Sequence, residues 1–307
     1  MTATAETTAP QWFTRAIAEL PEHREVEVAG GPVHLRCWGR TGAPGVVLVH
    51  GGSAHSGWWD HIAPLLAVTH RVVAVDLSGH GDSVVRPRYP LDGWADEVMA
   101  AAEAGGIGGR PYVVGHSMGG AVTAAVGARH HDSVAGLVII DSPMFQEPPE
   151  EVIIRRLARK PKVYATRDEI CARFRTEPAQ DTVLPYVARH VAEESVRRTG
   201  HGWVWKFDPE MFRKRLQDMS VDISGLLRTV RKPALYIRCE LGLVERATAW
   251  DIAGLFECPA TVVELADAGH HPMMDQPLPL VATLRTALAQ WDSRYAETGS
   301  AGPGEPD

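Results

Sequence analysis

Short, continuously apolar runs punctuate the chain: Gly45-Val-Val-Leu-Val49, Val72-Val-Ala-Val75, Tyr112-Val-Val114 and Leu137-Val-Ile-Ile140. They are rich in β-branched residues and lack polar alternation, as expected of strands covered on both faces of a parallel sheet. Helical patterns fill the gaps at Leu91 to Ala104 and Met118 to His130. Nearer the start, Trp12, Phe13, Ile17 and Leu20 fall at the spacing of a short amphipathic helix. Glu25 to Ala29 and Val33 to Trp38 then alternate like two half-buried strands, joined at the turn signal Gly30-Gly31. Repeated strand–helix alternation predicts an α/β fold with a mostly parallel central sheet flanked by helices.

The rhythm stops after Asp141. From Met144 to about Val230 the chain is charged, arginine-rich and helical in pattern, with no convincing buried strand. It resumes at Ala234-Leu-Tyr-Ile237 and Thr261-Val-Val-Glu-Leu265, and a last helix fits Leu278 to Trp291. An insertion this long is expected to fold as its own helical subdomain, since a structureless loop of that size is rare in a compact domain. The organisation expected is a core in two parts, 1–143 and 231–296, with a helical unit over 144–230 inserted after the strand ending at Asp141. The Gly/Pro/acidic stretch 297–307 is expected to be a disordered tail.

Composition narrows the partners. The 307 residues are 45% hydrophobic and 22% charged, with a formal net charge of -7. That sign disfavours nucleic acid and anionic membranes as partners, and no apolar run reaches the roughly 18 residues of a membrane span. The opening residues, Met1 to Pro10, lack a signal-peptide pattern, so a cytoplasmic protein is expected. Cys37, Cys171, Cys239 and Cys258 are scattered, without metal or disulfide spacing, and read as reduced packing residues. The histidines show no ligand pattern such as HExxH, so neither metal nor cofactor is expected. The partner expected is a small-molecule substrate, and self-association into a homodimer stays open.

Candidate chemistry centres on Gly115-His116-Ser117-Met118-Gly119, which follows the strand Tyr112 to Val114 and opens a helix of small residues. In that context a G-x-S-x-G pentapeptide makes a sharp strand-to-helix turn. Glycines on either side remove Cβ atoms that would clash, and the serine hydroxyl is lifted off the sheet end. The helix N-terminus behind it favours developing negative charge.

From Val33 to Trp291 the chain resembles the α/β-hydrolase-fold family, in its capped serine-hydrolase form. The resemblance rests on several motifs in the family's order: His50-Gly51-Gly52 after an early strand, Asp76-Leu-Ser-Gly-His-Gly-Asp-Ser83, the Ser117 turn, and Gly269-His270 before the last helix. It implies Ser117 as nucleophile and backbone N–H groups of Gly52 and Met118 as an oxyanion hole. Serine at that position also sets the chain apart from relatives that form an ester on an aspartate there. His50 is expected to brace its loop, and Asp76 to Ser83 to be a structural turn.

The base is expected at His270, on the loop after the last apolar strand, in preference to its neighbour His271. The acid departs from the family pattern. Where the family usually carries aspartate, after the penultimate strand, this chain has Gly242, and Cys239 replaces a glycine. Asp141, at the tip of the strand after the nucleophile helix, is the first candidate; Glu240 is the alternative. Asp267 and Asp275 flank the base without being aimed at it.

The aromatics of the insertion (Phe145, Phe174, Tyr186, Trp203, Trp205, Phe207, Phe212) and Trp58-Trp59 suggest an apolar substrate; of these, Trp58, Trp59, Trp203 and Trp205 are the pocket candidates. The arginines Arg155, Arg156, Arg173, Arg175, Arg197 and Arg198 read as a solvated face with Glu150, Glu151, Glu193 and Glu194. Taken together, the expectation is a cofactor-free hydrolase of a carboxylic ester or lactone. A C–C bond hydrolase or haloperoxidase-like perhydrolase would use the same residues. A non-enzymatic ligand receptor of the same fold is the remaining alternative.

Overall fold

The computed structural model describes residues 8–144, 154, 157, 161–215 and 221–299. In chain order the core begins with α1 (Gln11–Ala18), β1 (Glu22–Val28), β2 (Gly31–Trp38), β3 (Gly45–Val49), α2 (Ala63–Leu66) and β4 (Arg71–Val75). It continues with α3 (Leu91–Ala104), β5 (Tyr112–His116), α4 (Met118–Arg129) and β6 (Gly136–Ile140). The inserted stretch holds α5 (Arg167–Cys171), α6 (Pro185–Glu194), β7 (Val196–Thr199), β8 (Gly202–Trp205), α7 (Met211–Arg215) and α8 (Ile223–Leu227). The core closes with β9 (Ala234–Leu241), α9 (Arg246–Gly254), β10 (Thr261–Gly269), α10 (Pro272–Asp275) and α11 (Pro277–Gly299).

Eight strands form one sheet in the order β1-β2-β4-β3-β5-β6-β9-β10. Pairing is antiparallel for β1–β2 and β2–β4, and parallel from β4 through β10. Every residue of β3, β4, β5 and β6 is buried, which is why polar residues stand only at strand ends, Arg71 in β4 and His116 in β5. Alternate residues feed two cores. Val47, Val49, Val73 and Val75 pack with Trp94, Val98 and Val122 of α3 and α4. On the opposite face Val46, Leu48, Val72 and Ala74 pack with Phe13 of α1, Leu66 of α2, and Leu284 and Leu288 of α11.

β3 lies between β4 and β5, so the chain winds one way to β4 and the other way to β5. The carboxyl ends of strands at such a reversal leave a crevice where ligands bind in open α/β sheets. The loops after β3, β5, β6 and β10 all emerge there.

Two expectations about the insertion and the tail need correction. The insertion is not purely helical: β7 and β8 form an antiparallel hairpin, with Val196 opposite Trp205 and Thr199 opposite Gly202. Arg197 and Arg198 sit in β7, and every residue of β8 is half-buried, so neither strand shows the burial alternation that marks a strand in sequence. The last helix is longer than the apolar pattern indicated. It reaches Gly299 and takes in the first three residues of the expected tail, while residues 300–307 lie outside the described residues. The helix α6, which leads into the hairpin, is fastened to the core by buried charge. Arg36 of β2 bridges Asp60 and Glu194 at 2.7 Å each, and His190 of α6 meets Asp60 at 3.0 Å.

Candidate active site

β5 ends in a backbone turn that only unusual residues tolerate. Ser117 sits at φ 53° and ψ -117°, left-handed for a residue with a side chain. Its N–H is held by Ile140 O at 2.9 Å, and its own carbonyl accepts Gly120 N–H at 2.9 Å and Ser142 Oγ–H at 2.7 Å. Flanking glycines make the turn possible. A Cβ at Gly115 would stand 2.1 Å from Gly119 O, and one at Gly119 would stand 2.6 Å from the carbonyls of Val49 and His50. The serine hydroxyl is thereby presented at the sheet end, with α4 starting at Met118 behind it.

The structure brings three of the sequence candidates together. Ser117 Oγ lies 3.0 Å from His270 Nε2, and His270 Nδ1 lies 2.7 Å from Asp141 Oδ2. A carboxylate can only accept, so the ring proton sits on Nδ1 and Nε2 is left to accept from the serine hydroxyl. Asp141 is fully buried and also accepts Cys239 N–H at 3.2 Å and Leu243 N–H at 2.8 Å. Glu240 is placed elsewhere: it stands exposed and accepts Asp267 N–H at 2.8 Å. The family's usual acid position carries a further signature. A Cβ at Gly242 would come within 2.3 Å of Asp141 Oδ2, so the carboxylate occupies the space a side chain there would need.

The oxyanion candidates border the same serine. Gly51, beside Gly52, approaches so closely that a Cβ on it would lie 3.3 Å from Ser117 Cβ; one on Gly52 would lie 3.9 Å from Met118 Sδ. Among the described residues neither Gly52 N–H nor Met118 N–H has an acceptor. His50 braces this loop. Leu77 N–H donates to its Nε2 at 3.1 Å, and its Nδ1–H donates to Gly51 O at 2.8 Å. Asp76 is consumed by its turn, accepting from Ser56 N–H, Asp82 N–H and His34 Nδ1–H at 2.6, 2.9 and 2.8 Å.

Several supporting residues carried no readable signal. Asp275 Oδ2 accepts Gly269 N–H at 2.7 Å, Thr182 Oγ–H at 2.9 Å and Gln180 Nε2–H at 3.1 Å, which pins the loop that carries His270. Gln180 Oε1 in turn accepts His271 N–H. His116, the second residue of the pentapeptide, donates Nε2–H to His270 O at 2.7 Å. Burial drives the His116 pKa well below its ordinary value, and the neighbouring His270 and His271 add to this. His271 is pushed down to about 3 by burial and then by His270.

His271, Trp58, Phe174 and Trp205 form a row, with ring centroids 5.5, 5.9 and 6.2 Å apart in succession. Trp59 is fully buried in the core on the α1–α11 side, and Trp203 packs with Tyr164 and Ile170 in the insertion's own small core. Trp58 shares the core of Trp59, and Trp205 shares that of Trp203. Phe145, Arg155, Arg156, Glu150 and Glu151 lie outside the described residues. Cys258 is exposed, so it is not a packing residue.

Residues 46–284 match the model of the Alpha/beta hydrolase family. The chain belongs to that family. Among its alpha/beta hydrolase relatives, lipase LipV of Mycobacterium tuberculosis is 26% identical over 268 residues, covering 83% of this chain and 97% of the lipase. A pimeloyl-[acyl-carrier protein] methyl ester esterase of Chromobacterium violaceum is 38% identical over 103 residues, a local match to 33% of this chain. The chain spans only 34% to 39% of the length of three curated relatives, that esterase included. The solved structure of E-2-(acetamidomethylene)succinate hydrolase superposes with a TM-score of 0.77 at 21% identity, over 88% of this chain and 99% of that one. No helix of the described residues is long and apolar enough to cross a membrane.

Proposed function

We propose that this alpha/beta hydrolase cleaves a carboxylic ester or lactone of a medium-sized apolar substrate through an acyl-enzyme on Ser117. The observation that carries the reading is the chain of contacts Ser117 Oγ–His270 Nε2–Asp141 at 3.0 and 2.7 Å. Relatives named as esterase and lipase support ester hydrolysis as the reaction class.

In this reading His270 takes the hydroxyl proton as Ser117 Oγ bonds to the substrate carbonyl carbon. Asp141 fixes the ring tautomer and stabilises the imidazolium. The carbonyl oxygen gains the electron pair and is met by the free N–H groups of Gly52 and Met118. Collapse breaks the ester bond, and the alkoxide leaves with the proton from His270. Water then repeats the sequence on the acyl-serine, releasing acid and free enzyme.

The described part of the insertion, residues 161–215 and 221–230, serves as the cap over this site, and the row Trp58–Phe174–Trp205 supplies an apolar wall for the acyl or alcohol group. Labelling with a fluorophosphonate and hydrolysis of p-nitrophenyl esters of graded chain length, with lactones alongside, tests the reading. A Ser117-dependent adduct and an optimum at medium chain length are expected. Absence of an adduct on folded protein would refute it.

A further inference from the structure

Three imidazoles crowd one point at the crevice. His116, His270 and His271 are all buried, and one ring nitrogen from each lies within 4.8 Å of one from each of the others. Their ring centroids are 4.7, 4.8 and 5.2 Å apart.

The hydrogen bonds of these rings fix which nitrogen carries the proton. His116 Nε2 faces the carbonyl of His270 at 2.7 Å, and a carbonyl only accepts, so the proton is on Nε2. His271 Nε2 faces the carbonyl of Glu177 at 3.3 Å, with the same consequence. His270 holds its proton on Nδ1, toward Asp141. Each ring therefore anchors its N–H on an oxygen and keeps a lone pair on its other nitrogen. Histidines that ligate metals are held this way, with the non-ligating N–H on a carboxylate or backbone carbonyl. Of the three lone pairs, only that of His270 has a partner among the described residues, the Ser117 hydroxyl. His271 Nδ1 is buried without a hydrogen-bond partner among the described residues, a cost that a ligand on that nitrogen would remove.

We propose that His116, His270 and His271 form a binding site for a zinc-class divalent cation, and that its occupancy switches hydrolysis off. Three neutral imidazoles without thiolate or carboxylate in the inner shell suit Zn²⁺ and Cu²⁺ and reject Mg²⁺ and Ca²⁺. A tetrahedral ion with bonds of about 2.1 Å holds its ligands about 3.4 Å apart, so the three rings draw together when they hold one. His270 would spend on the ion the lone pair that otherwise receives the serine proton. The other cluster of ligand-type side chains among the described residues, His34, Asp76 and Asp82, is less suited, because backbone N–H groups and His34 already occupy the Asp76 oxygens.

The inhibitory half of the proposal rests on the role of His270 proposed above; the binding half does not. Binding is therefore measured in Ser117→Ala, where no turnover is needed, by calorimetric titration with Zn²⁺ and by the visible absorption of bound Co²⁺. One tight site is expected, with the absorption of a nitrogen-ligated tetrahedral ion. His116→Gln and His271→Gln should each weaken it at least tenfold, and His34→Gln should not. In the native chain, Zn²⁺ at ten times its Kd should cut p-nitrophenyl ester hydrolysis about tenfold by mass action, and a chelator should restore it. Circular dichroism of each variant separates lost ligands from lost fold. Undiminished Zn²⁺ and Co²⁺ binding in folded His116→Gln and His271→Gln would overturn the site. Binding that leaves hydrolysis untouched would overturn the switch. A metal site without any esterase activity would leave the binding half standing and remove the hydrolase reading instead.

Discussion

Asp141 shows how much one carboxylate is asked to do. Its side chain has no solvent, accepts two backbone N–H groups and sets the His270 tautomer. Asparagine there keeps the shape but offers an N–H where an acceptor is required. We expect Asp141→Asn to lower kcat by about 10³ to 10⁴, by analogy with removal of the charge in other serine triads, while Glu240→Gln changes it less than about twofold. Steady-state hydrolysis of a p-nitrophenyl ester decides between them; the reverse ranking would return the acid to Glu240. Ser117 offers a second test at this scale. Its left-handed backbone stores strain of order 1–3 kcal/mol, which glycine would not feel. Ser117→Gly should thus abolish activity yet raise stability by about 1 kcal/mol, read from the urea midpoint. A less stable variant would mean that the turn is not strained.

At the scale of elements, legibility in sequence follows burial. The strands β3 to β6 are readable because both faces are covered and their interiors are apolar, with Arg71 and His116 only at strand ends. The pair β7–β8 was not, because Arg197, Arg198 and Thr199 face solvent in part and Trp203 and Trp205 are half-buried. Ser117 and His270 were readable through local motifs on loops of fixed place. Asp141 was only a candidate, since its partner lies 129 residues away in the chain. His116 and Gln180 were invisible, because their bonds to the His270 loop cross the fold. The attachment of α6 to β2 is also non-local, and it predicts a mechanical effect. Arg36→Ala leaves Asp60 buried with His190 as its one remaining side-chain partner among the described residues, and should cost about 3–5 kcal/mol. Limited proteolysis should then cut first between residues 185 and 205. An unchanged cleavage pattern would show that the ion cluster is not what holds this stretch down.

For the whole molecule, buried histidines dominate the response to acid. Burial pushes His55 and His61 down to about 4 and His271 to about 3, and lowers His50 and His116 as well. Each is neutral in the folded chain, whereas the unfolded chain protonates near its ordinary value of about 6.5. Between about pH 6.5 and pH 4 the unfolded state therefore binds more protons, and stability falls as pH falls. The slope is about 1.4 kcal/mol per pH unit for each such histidine, against a total of roughly 5–15 kcal/mol. Melting should thus be highest above pH 6.5 and decline steeply toward pH 4.5, as differential scanning fluorimetry would show. A flat profile across that window would contradict the buried neutral state of these rings.

Gly242 and Asp141 compete for one volume, and that rivalry constrains how such sequences can change over time. On this backbone a side chain at 242 pushes the Asp141 carboxylate away from the place where it meets His270. A descendant that gains an aspartate at 242 therefore disturbs its present acid in the same step, and a glycine at 242 is what leaves the carboxylate of the neighbouring strand its seat.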